Sequence, residues 1–178
     1  MVEGDPRSPA VDLLAESVSA IRSAVEDTVE GLTPEQLAFR PSPTSPSMAW
    51  LIWHLTRVQD DQAAVLFGRG QVWHTGPWVA RFALPFDGNA DGYGQGPEEA
   101  ATVWVESGLL LTDYHRAVSN RTMAALAALV DADLARAVDD PRGVRDSVGG
   151  RLNRVVADNL RLVGQAAYVR GLLQHGPY

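Results

Sequence analysis

The fold is decided by residues 45–68, SPSMAWLIWHLTRVQDDQAAVLFG. Apolar side chains recur along this stretch at spacings of three, four and seven residues, which places them on one face of an α-helix. They are Leu51, Leu55, Val58 and Val65. Ser45-Pro46 is typical of a helix start, and Gly68 is typical of a helix end. The stretch therefore predicts one long amphipathic helix.

Three further stretches carry the same periodicity. The predicted long helices are 9–31, 45–68, 96–129 with a break near Ser107-Gly108, and 148–173. The first begins at Ser8-Pro9, and a short helix capped by Thr33 and Gln36 follows it. Four long amphipathic helices predict an all-α four-helix bundle. We expect a single domain over 1–178, with its core at about 9–174.

Two loops separate the predicted helices. Residues 69–96 are rich in glycine but hold several aromatic side chains, among them Trp73, Trp78, Phe82 and Phe86. Because such rings need burial, we expect a long ordered loop packed over the bundle between the second and third helical regions. A second loop is predicted around Asp139, Asp140, Pro141 and Gly143.

The composition excludes several classes of function. The 178 residues carry a net charge of −7, with 15 arginines, no lysine and no cysteine. Disulfides, thiolate nucleophiles and Schiff-base lysines are therefore excluded. The mixed charges do not form the basic stripe of a nucleic-acid binder, and no apolar run is long enough for a membrane span. The acidic N-terminus does not resemble a signal peptide, so we expect a cytoplasmic protein.

The four histidines are His54, His74, His115 and His175, and none is three or four residues from another. No single helix therefore presents two imidazoles to a metal. Arg57 and Asp61 follow His54 on the same helix and are candidates for catalysis with it. The alternative for His54 is a core-edge histidine bonded to Asp61 or to a main-chain carbonyl.

The loop also contains a match to the calcium-binding loop of EF-hands. It runs from Asp87 to Glu98 in the pattern of alternate oxygen ligands with a glycine at the turn. Pro85 stands where the entering helix should be, and Gly94 replaces the usual apolar residue. We therefore expect a turn rich in Asp, Asn and Gly here, without calcium.

Several segments together resemble the DinB-like (YfiT-like) superfamily. The matching pieces are 32–37 (LTPEQL), Arg40-Pro41, 51–55 (LIWHL), 92–94 (GYG) and 164–173 (GQAAYVRGLL). The actinobacterial branch related to mycothiol-dependent maleylpyruvate isomerase looks closest. Such a resemblance implies a four-helix bundle that binds a divalent metal, zinc or nickel, at one end.

The ligands that the resemblance implies fall on three positions of this chain. The first is His54, the second is Asp158, and the third is Leu162, which cannot coordinate a metal. We therefore expect a weak or vacant metal site and no tightly bound cofactor. Taken alone, Asp158 has an alternative as an ion-pair partner of Arg154 or Arg161.

Two functions are consistent with these observations. The first is a binding protein for a small molecule or a partner, without efficient metal catalysis. Its candidate pocket residues are Trp73, Trp78, Phe82, Tyr93 and Gln165, and Arg57, Arg81 and Arg161 are candidates for holding an anionic group or forming surface ion pairs. The second, implied by the resemblance, is a metal- and thiol-dependent S-transferase or isomerase with mycothiol as cosubstrate. A homodimer through an exposed bundle face stays open.

Overall fold

The structure, a computed structural model, describes residues 8–138 and 146–175. For residue 175 it describes the main chain only. Its elements, in chain order, are α1 (Pro9–Val29), α2 (Pro34–Leu37), α3 (Met48–Phe67), α4 (Val72–Thr75), α5 (Trp78–Phe82), α6 (Pro97–Ala100), α7 (Gly108–Leu126), α8 (Asp131–Ala135), β1 (Ala137–Val138), β2 (Asp146–Ser147) and α9 (Val148–His175). The loop predicted around Asp139, Asp140, Pro141 and Gly143 and the side chain of His175 lie outside the described residues.

Four long helices form the bundle. The helix α3 packs against α7 and α9, and α1 packs against the same two helices from the opposite side. This closed arrangement confirms the predicted all-α four-helix bundle. The strands β1 and β2 pair antiparallel, with Ala137 opposite Ser147, directly before α9 begins.

The helix starts follow their capping residues. The Ser8 hydroxyl accepts a hydrogen bond from the Val11 N–H at the start of α1, and Thr33 forms the predicted capping box with Gln36. The predicted start of α3 at Ser45-Pro46 is wrong by two residues, because Ser47 caps this helix instead. Ser45 belongs to a turn in which its N–H donates to the Ser42 carbonyl (3.1 Å).

The helix α3 is buried on almost every side over its first thirteen residues, 48–60. The predicted apolar face is correct for Leu51, Leu55 and Val58, but Val65 is 62% exposed and Leu66 is buried in its place. The helices α7 and α9 and the 69–96 segment enclose the first part of α3, so nearly all of its faces are inside there. Only one face of its last two turns is covered, and Val65 lies off that face.

The 69–96 segment is ordered over the bundle, as predicted, and contains α4 and α5. Its rings join the core, where Trp73, Trp78 and Phe82 contact Tyr114 of α7 at centroid distances of 5.1, 5.2 and 5.8 Å. The Phe86 ring lies 5.4 Å from Trp53 of α3. Burial of these rings supplies the apolar area that keeps a glycine-rich segment in place.

A buried carboxylate attaches this segment to α3. Asp60, 2% exposed, accepts hydrogen bonds from the N–H groups of Val72 and Trp73 (both 2.7 Å) and from the Tyr114 hydroxyl (2.9 Å). The Arg57 guanidinium lies 4.0 Å from Asp60 and 4.8 Å from the centre of the Trp73 ring. The negative charge is thus compensated inside the core, as a buried charge requires.

A second polar group lies in the centre of the bundle. His115 of α7 is 1% exposed, and its Nδ1 and Nε2 atoms contact the hydroxyls of Thr56 (3.0 Å) and Ser119 (3.2 Å). The Thr56 hydroxyl donates to the Ile52 carbonyl, so the Nδ1–H of His115 donates to Thr56. The imidazole is therefore held neutral with both nitrogens bonded.

The length and hydropathy of the helices decide whether one of them could span a membrane. Among the residues that the structure describes, no helix combines the length and the hydropathy that a membrane span needs.

Replacement of Asp60 tests the attachment of the 69–96 segment. We expect Asp60→Ala to lower the free energy of unfolding by about 3–5 kcal/mol, because Arg57 and two N–H groups lose their buried partner. Urea denaturation measures this loss. The matched control is Asp61→Ala, a half-buried neighbour whose oxygens accept from the amides of Gln71 and Gln62, with an expected loss of about 1 kcal/mol. Equal losses in the two variants would contradict the attachment.

Burial lowers the pKa of His115 from 6.5 to about 4, which predicts a pH-dependent stability. Between pH 4 and pH 6.5 the His115 side chain binds a proton in the unfolded chain but not in the native state. The stability of the native state is therefore greatest above pH 6.5 and falls as the pH drops towards 4. The expected loss is about 3 kcal/mol, and urea denaturation at several pH values measures it.

The variant His115→Gln isolates the contribution of this histidine to the pH dependence. We expect its stability to change less than that of the wild type between pH 6.5 and 4. The exposed His74, replaced by Gln, is the matched control and should retain the wild-type slope. The same slope in His115→Gln as in the wild type would show that other groups cause the effect.

Candidate functional site

The candidate site is built around His54 on α3, which is 7% exposed. Its ring stacks on Trp50, one turn earlier on the same helix, at a centroid distance of 4.6 Å and an interplanar angle of 24°. Tyr93 of the 69–96 segment meets the same ring edge-on at 5.2 Å and is itself 65% exposed. His54 therefore lies where α3 meets the segment above it, beside solvent.

A main-chain contact sets the protonation pattern of His54. Its Nδ1 lies 2.5 Å from the Asp91 carbonyl oxygen, and because a carbonyl only accepts, the Nδ1–H donates. Burial lowers the pKa of His54, which the bond to Asp91 partly opposes. The neutral ring therefore carries a lone pair on Nε2, which has no hydrogen-bond partner among the described residues.

Gly92 allows this contact. Its φ is +101°, and a Cβ built there would lie 2.4 Å from Nδ1 of His54. Any larger residue would therefore collide with the imidazole as well as strain the backbone. The next glycine, Gly94, also has a positive φ of +77° but has no neighbouring atom within 4 Å of such a Cβ.

Arg57 and Asp61 hold the segment in position and do not contact His54. Arg57 is 1% exposed and donates to the carbonyls of Ala90 (3.1 Å) and Asn89 (3.4 Å) and to the Gln71 side chain (2.8 Å). The expectation that Arg57 forms an ion pair at the surface is therefore wrong. The Gln71 amide donates in turn to Asp61 (2.8 Å), whose pKa is raised by burial and by the charge of Asp91.

The helix α9 contributes the other side of the candidate site. Asp158 forms an ion pair with Arg161 (3.0 Å), which is one of the alternatives considered for it, and both side chains are more than one-third exposed. Their charges act on the pKa of His54 in opposite directions. Leu162 is 7% exposed and belongs to the apolar core.

The donor set does not fit the three-ligand metal site that the resemblance implies. Leu162 offers no donor atom, and the Asp158 carboxylate is already paired with Arg161. Among the residues that the structure describes, no three His, Cys, Asp or Glu side chains are grouped so that they could hold a metal ion. A catalytic zinc site normally has three protein ligands, and this corner supplies a single free nitrogen with one paired carboxylate.

The other pocket candidates lie apart from His54. Trp73, Trp78 and Phe82 are 2%, 7% and 5% exposed and pack in the core, and their role as walls of a common pocket stays a prediction. Phe82 also lines a surface groove of about 640 Å³ with Trp104. Gln165 is exposed on α9, and Arg81 forms an exposed ion pair with Asp113 (3.6 Å).

The segment from Asp87 to Glu98 forms turns. An Asp87 carboxylate oxygen accepts from the Asn89 N–H (2.8 Å), and an Asp91 carboxylate oxygen accepts from the Tyr93 N–H (2.8 Å). The preceding α5 ends at Phe82, and α6 has four residues. The long flanking helices of an EF-hand are therefore missing from both sides of this segment.

Sequence reasoning missed four residues of the site: Trp50, Asp91, Gly92 and Gln95. The Trp50 indole N–H donates to the Gln95 side-chain oxygen (2.8 Å), which is a further link between the segment and α3. A tryptophan four residues before His54 was a readable signal, since residues at that spacing are neighbours on a helix. Asp91 acts through its carbonyl, which every residue type has, so its identity carried no signal.

Comparisons with known proteins agree with this architecture. The family model described as the DinB superfamily matches residues 18–161. A solved structure, described as the conserved protein of locus from Enterococcus faecalis, is similar with a TM-score of 0.83 and 28% sequence identity, over 90% of this chain and 95% of that chain. No curated protein matches this chain.

Substitution of Gly92 tests how His54 is held. We expect Gly92→Ala to displace the imidazole and break its bond to Asp91, so that the ring nitrogens no longer show a single tautomer by ¹⁵N NMR. Gly94→Ala is the matched control, since it carries the same backbone strain of about 1–2 kcal/mol without touching His54. An unchanged His54 spectrum in Gly92→Ala would overturn this description of the site.

Proposed function

The chain belongs to the DinB superfamily, and we propose that it is a member that binds a small molecule at His54 without efficient metal catalysis. The observation that carries the proposal is Nε2 of His54, which has no hydrogen-bond partner among the described residues and is held as an acceptor by the bond between Nδ1 and Asp91. A fixed acceptor beside the half-buried ring of Trp50 and the exposed ring of Tyr93 suits the recognition of a small polar group.

The residues around His54 support binding in distinct ways. Trp50 provides a flat ring that fixes the orientation of the imidazole, and the partly solvent-exposed Tyr93 offers a second ring. Arg57 holds the carbonyls of Asn89 and Ala90, directly before the Asp91 carbonyl that orients His54. The acceptor is therefore preorganised before a ligand arrives, which lowers the entropic cost of binding.

A metal- and thiol-dependent S-transferase or isomerase of the mycothiol type is the second candidate. One observation favours it: a histidine that donates its Nδ1–H to a carbonyl and leaves Nε2 free has the arrangement of a metal ligand. The thiol would come from a cosubstrate, since the chain has no cysteine. Leu162 and the pairing of Asp158 with Arg161 argue against it.

Metal content separates the two candidates. We expect the wild-type protein, purified without chelators, to hold no stoichiometric zinc or nickel by elemental analysis. We expect Leu162→His to bind zinc at least about a hundredfold more tightly than the wild type, because it restores a third ligand. Isothermal titration with zinc measures this difference.

The matched control for the metal experiment is Leu162→Met, which retains an apolar core side chain without an imidazole. Thermal unfolding of both variants shows whether each is folded before the titration. Stoichiometric metal bound to His54 and Asp158 in the wild type would overturn the proposed function and favour the transferase. No gain in Leu162→His over Leu162→Met would show that Leu162 is not the third ligand position.

A further inference from the structure

Two polar atoms without partners lie beside the same indole ring. The amide nitrogen of Gln95 is buried and has no hydrogen-bond partner, and Nε2 of His54 has none among the described residues. Trp50 connects the two, because His54 stacks on its ring at 4.6 Å and its indole N–H donates to the Gln95 oxygen at 2.8 Å. Both groups therefore belong to one small area of the candidate site.

The contacts that Gln95 and His54 already make decide which of them is a donor to a ligand and which is an acceptor. An indole N–H can only donate, so the oxygen of Gln95 faces Trp50 and the NH₂ group of Gln95 is the free end. The Nδ1–H of His54 donates to Asp91, so its Nε2 is an acceptor. The site thus offers one donor and one acceptor, and neither can reverse its role without breaking an existing bond.

An unpartnered buried donor has an energetic cost. A buried N–H without an acceptor has lost its hydrogen bonds to water and gains none in exchange. A ligand with an acceptor for Gln95 would recover that cost, and a donor on the same ligand would bond to His54. The rings of Trp50 and Tyr93 favour a planar ligand, since flat molecules stack on or against aromatic side chains.

We propose that the ligand of the His54 site is a small, neutral, planar molecule with a carboxamide or lactam edge, whose N–H donates to His54 and whose carbonyl accepts from Gln95. The inference rests on the proposed function, because it names the chemical class of the small molecule bound there.

A carboxylate or an amidinium in place of the carboxamide edge does not match the acceptor of His54 and the donor of Gln95. A carboxylate presents only acceptors, and one of them would face the lone pair of His54. An amidinium presents only donors, which would face the NH₂ group of Gln95.

Three probes that share one ring test the proposal: benzamide, benzoate and benzamidine. Each is titrated into the wild-type protein while ¹⁵N NMR follows the His54 ring nitrogens and the Trp50 indole N–H. We expect benzamide to shift both signals saturably and to bind at least about tenfold more tightly than either charged probe, which corresponds to one hydrogen bond of about 1.4 kcal/mol.

The variant Gln95→Glu replaces the free donor with an acceptor and keeps the oxygen that accepts from Trp50. We expect benzamide binding to weaken about tenfold and benzamidine to become the preferred probe. Gln174→Glu is the matched control, because it adds the same charge at an exposed position of α9 and should leave the order of the probes unchanged.

The outcomes separate the ligand class from the proposed function. Tighter binding of benzoate or benzamidine than of benzamide to the wild type, with shifts at His54, would overturn the amide class and leave small-molecule binding intact. No shift with any of the three probes would overturn both. An unchanged preference for benzamide in Gln95→Glu would show that Gln95 is not the donor.

Discussion

The buried carboxylate of Asp60 is the group on which the rest of this structure depends. It accepts hydrogen bonds from two N–H groups of the segment above α3 and from Tyr114 of α7, so one side chain joins three parts of the chain. Arg57 compensates its charge one turn earlier on α3 and reaches further along the same segment, to the carbonyls of Asn89 and Ala90. A charge pair inside a core is expensive unless its hydrogen bonds are all made, and here they are used to hold an irregular segment in one place.

The position of that segment creates the candidate site. The Asp91 carbonyl and Gly92 follow directly after the carbonyls that Arg57 holds, and they face His54 on the same helix. His54 would otherwise be a histidine near the surface of α3. With Asp91 on one nitrogen and Trp50 against its face, it becomes a neutral ring with a defined acceptor. The attachment of the segment and the binding chemistry therefore share one part of α3, residues 50–60, where Trp50, His54, Arg57 and Asp60 lie.

The same geometry explains the departure from the metal site that the resemblance implies. Leu162 continues the apolar face of α9 into the core, and Asp158 lies beside that face and pairs with Arg161. Asn159 follows Asp158 on α9 and is fully buried. Its side-chain amide nitrogen donates to the side-chain oxygen of Gln59 on α3 (2.9 Å). The interface of α3 and α9 is thus closed by apolar packing and a neutral amide pair at the level where a metal would need donors.

The sequence alone determined the number of long helices, most of their ends and the burial of the aromatic rings in the 69–96 segment. Capping residues and a repeat of apolar side chains act locally, so they can be read from neighbouring positions. The exposure of Val65 and the burial of Arg57 were decided only by the tertiary structure. So was the site itself: His54 could be singled out from its position on a helix, but its partner is the carbonyl of Asp91, 37 residues later. A main-chain carbonyl is common to all residue types, and only the folded path of the chain decides which one meets the imidazole.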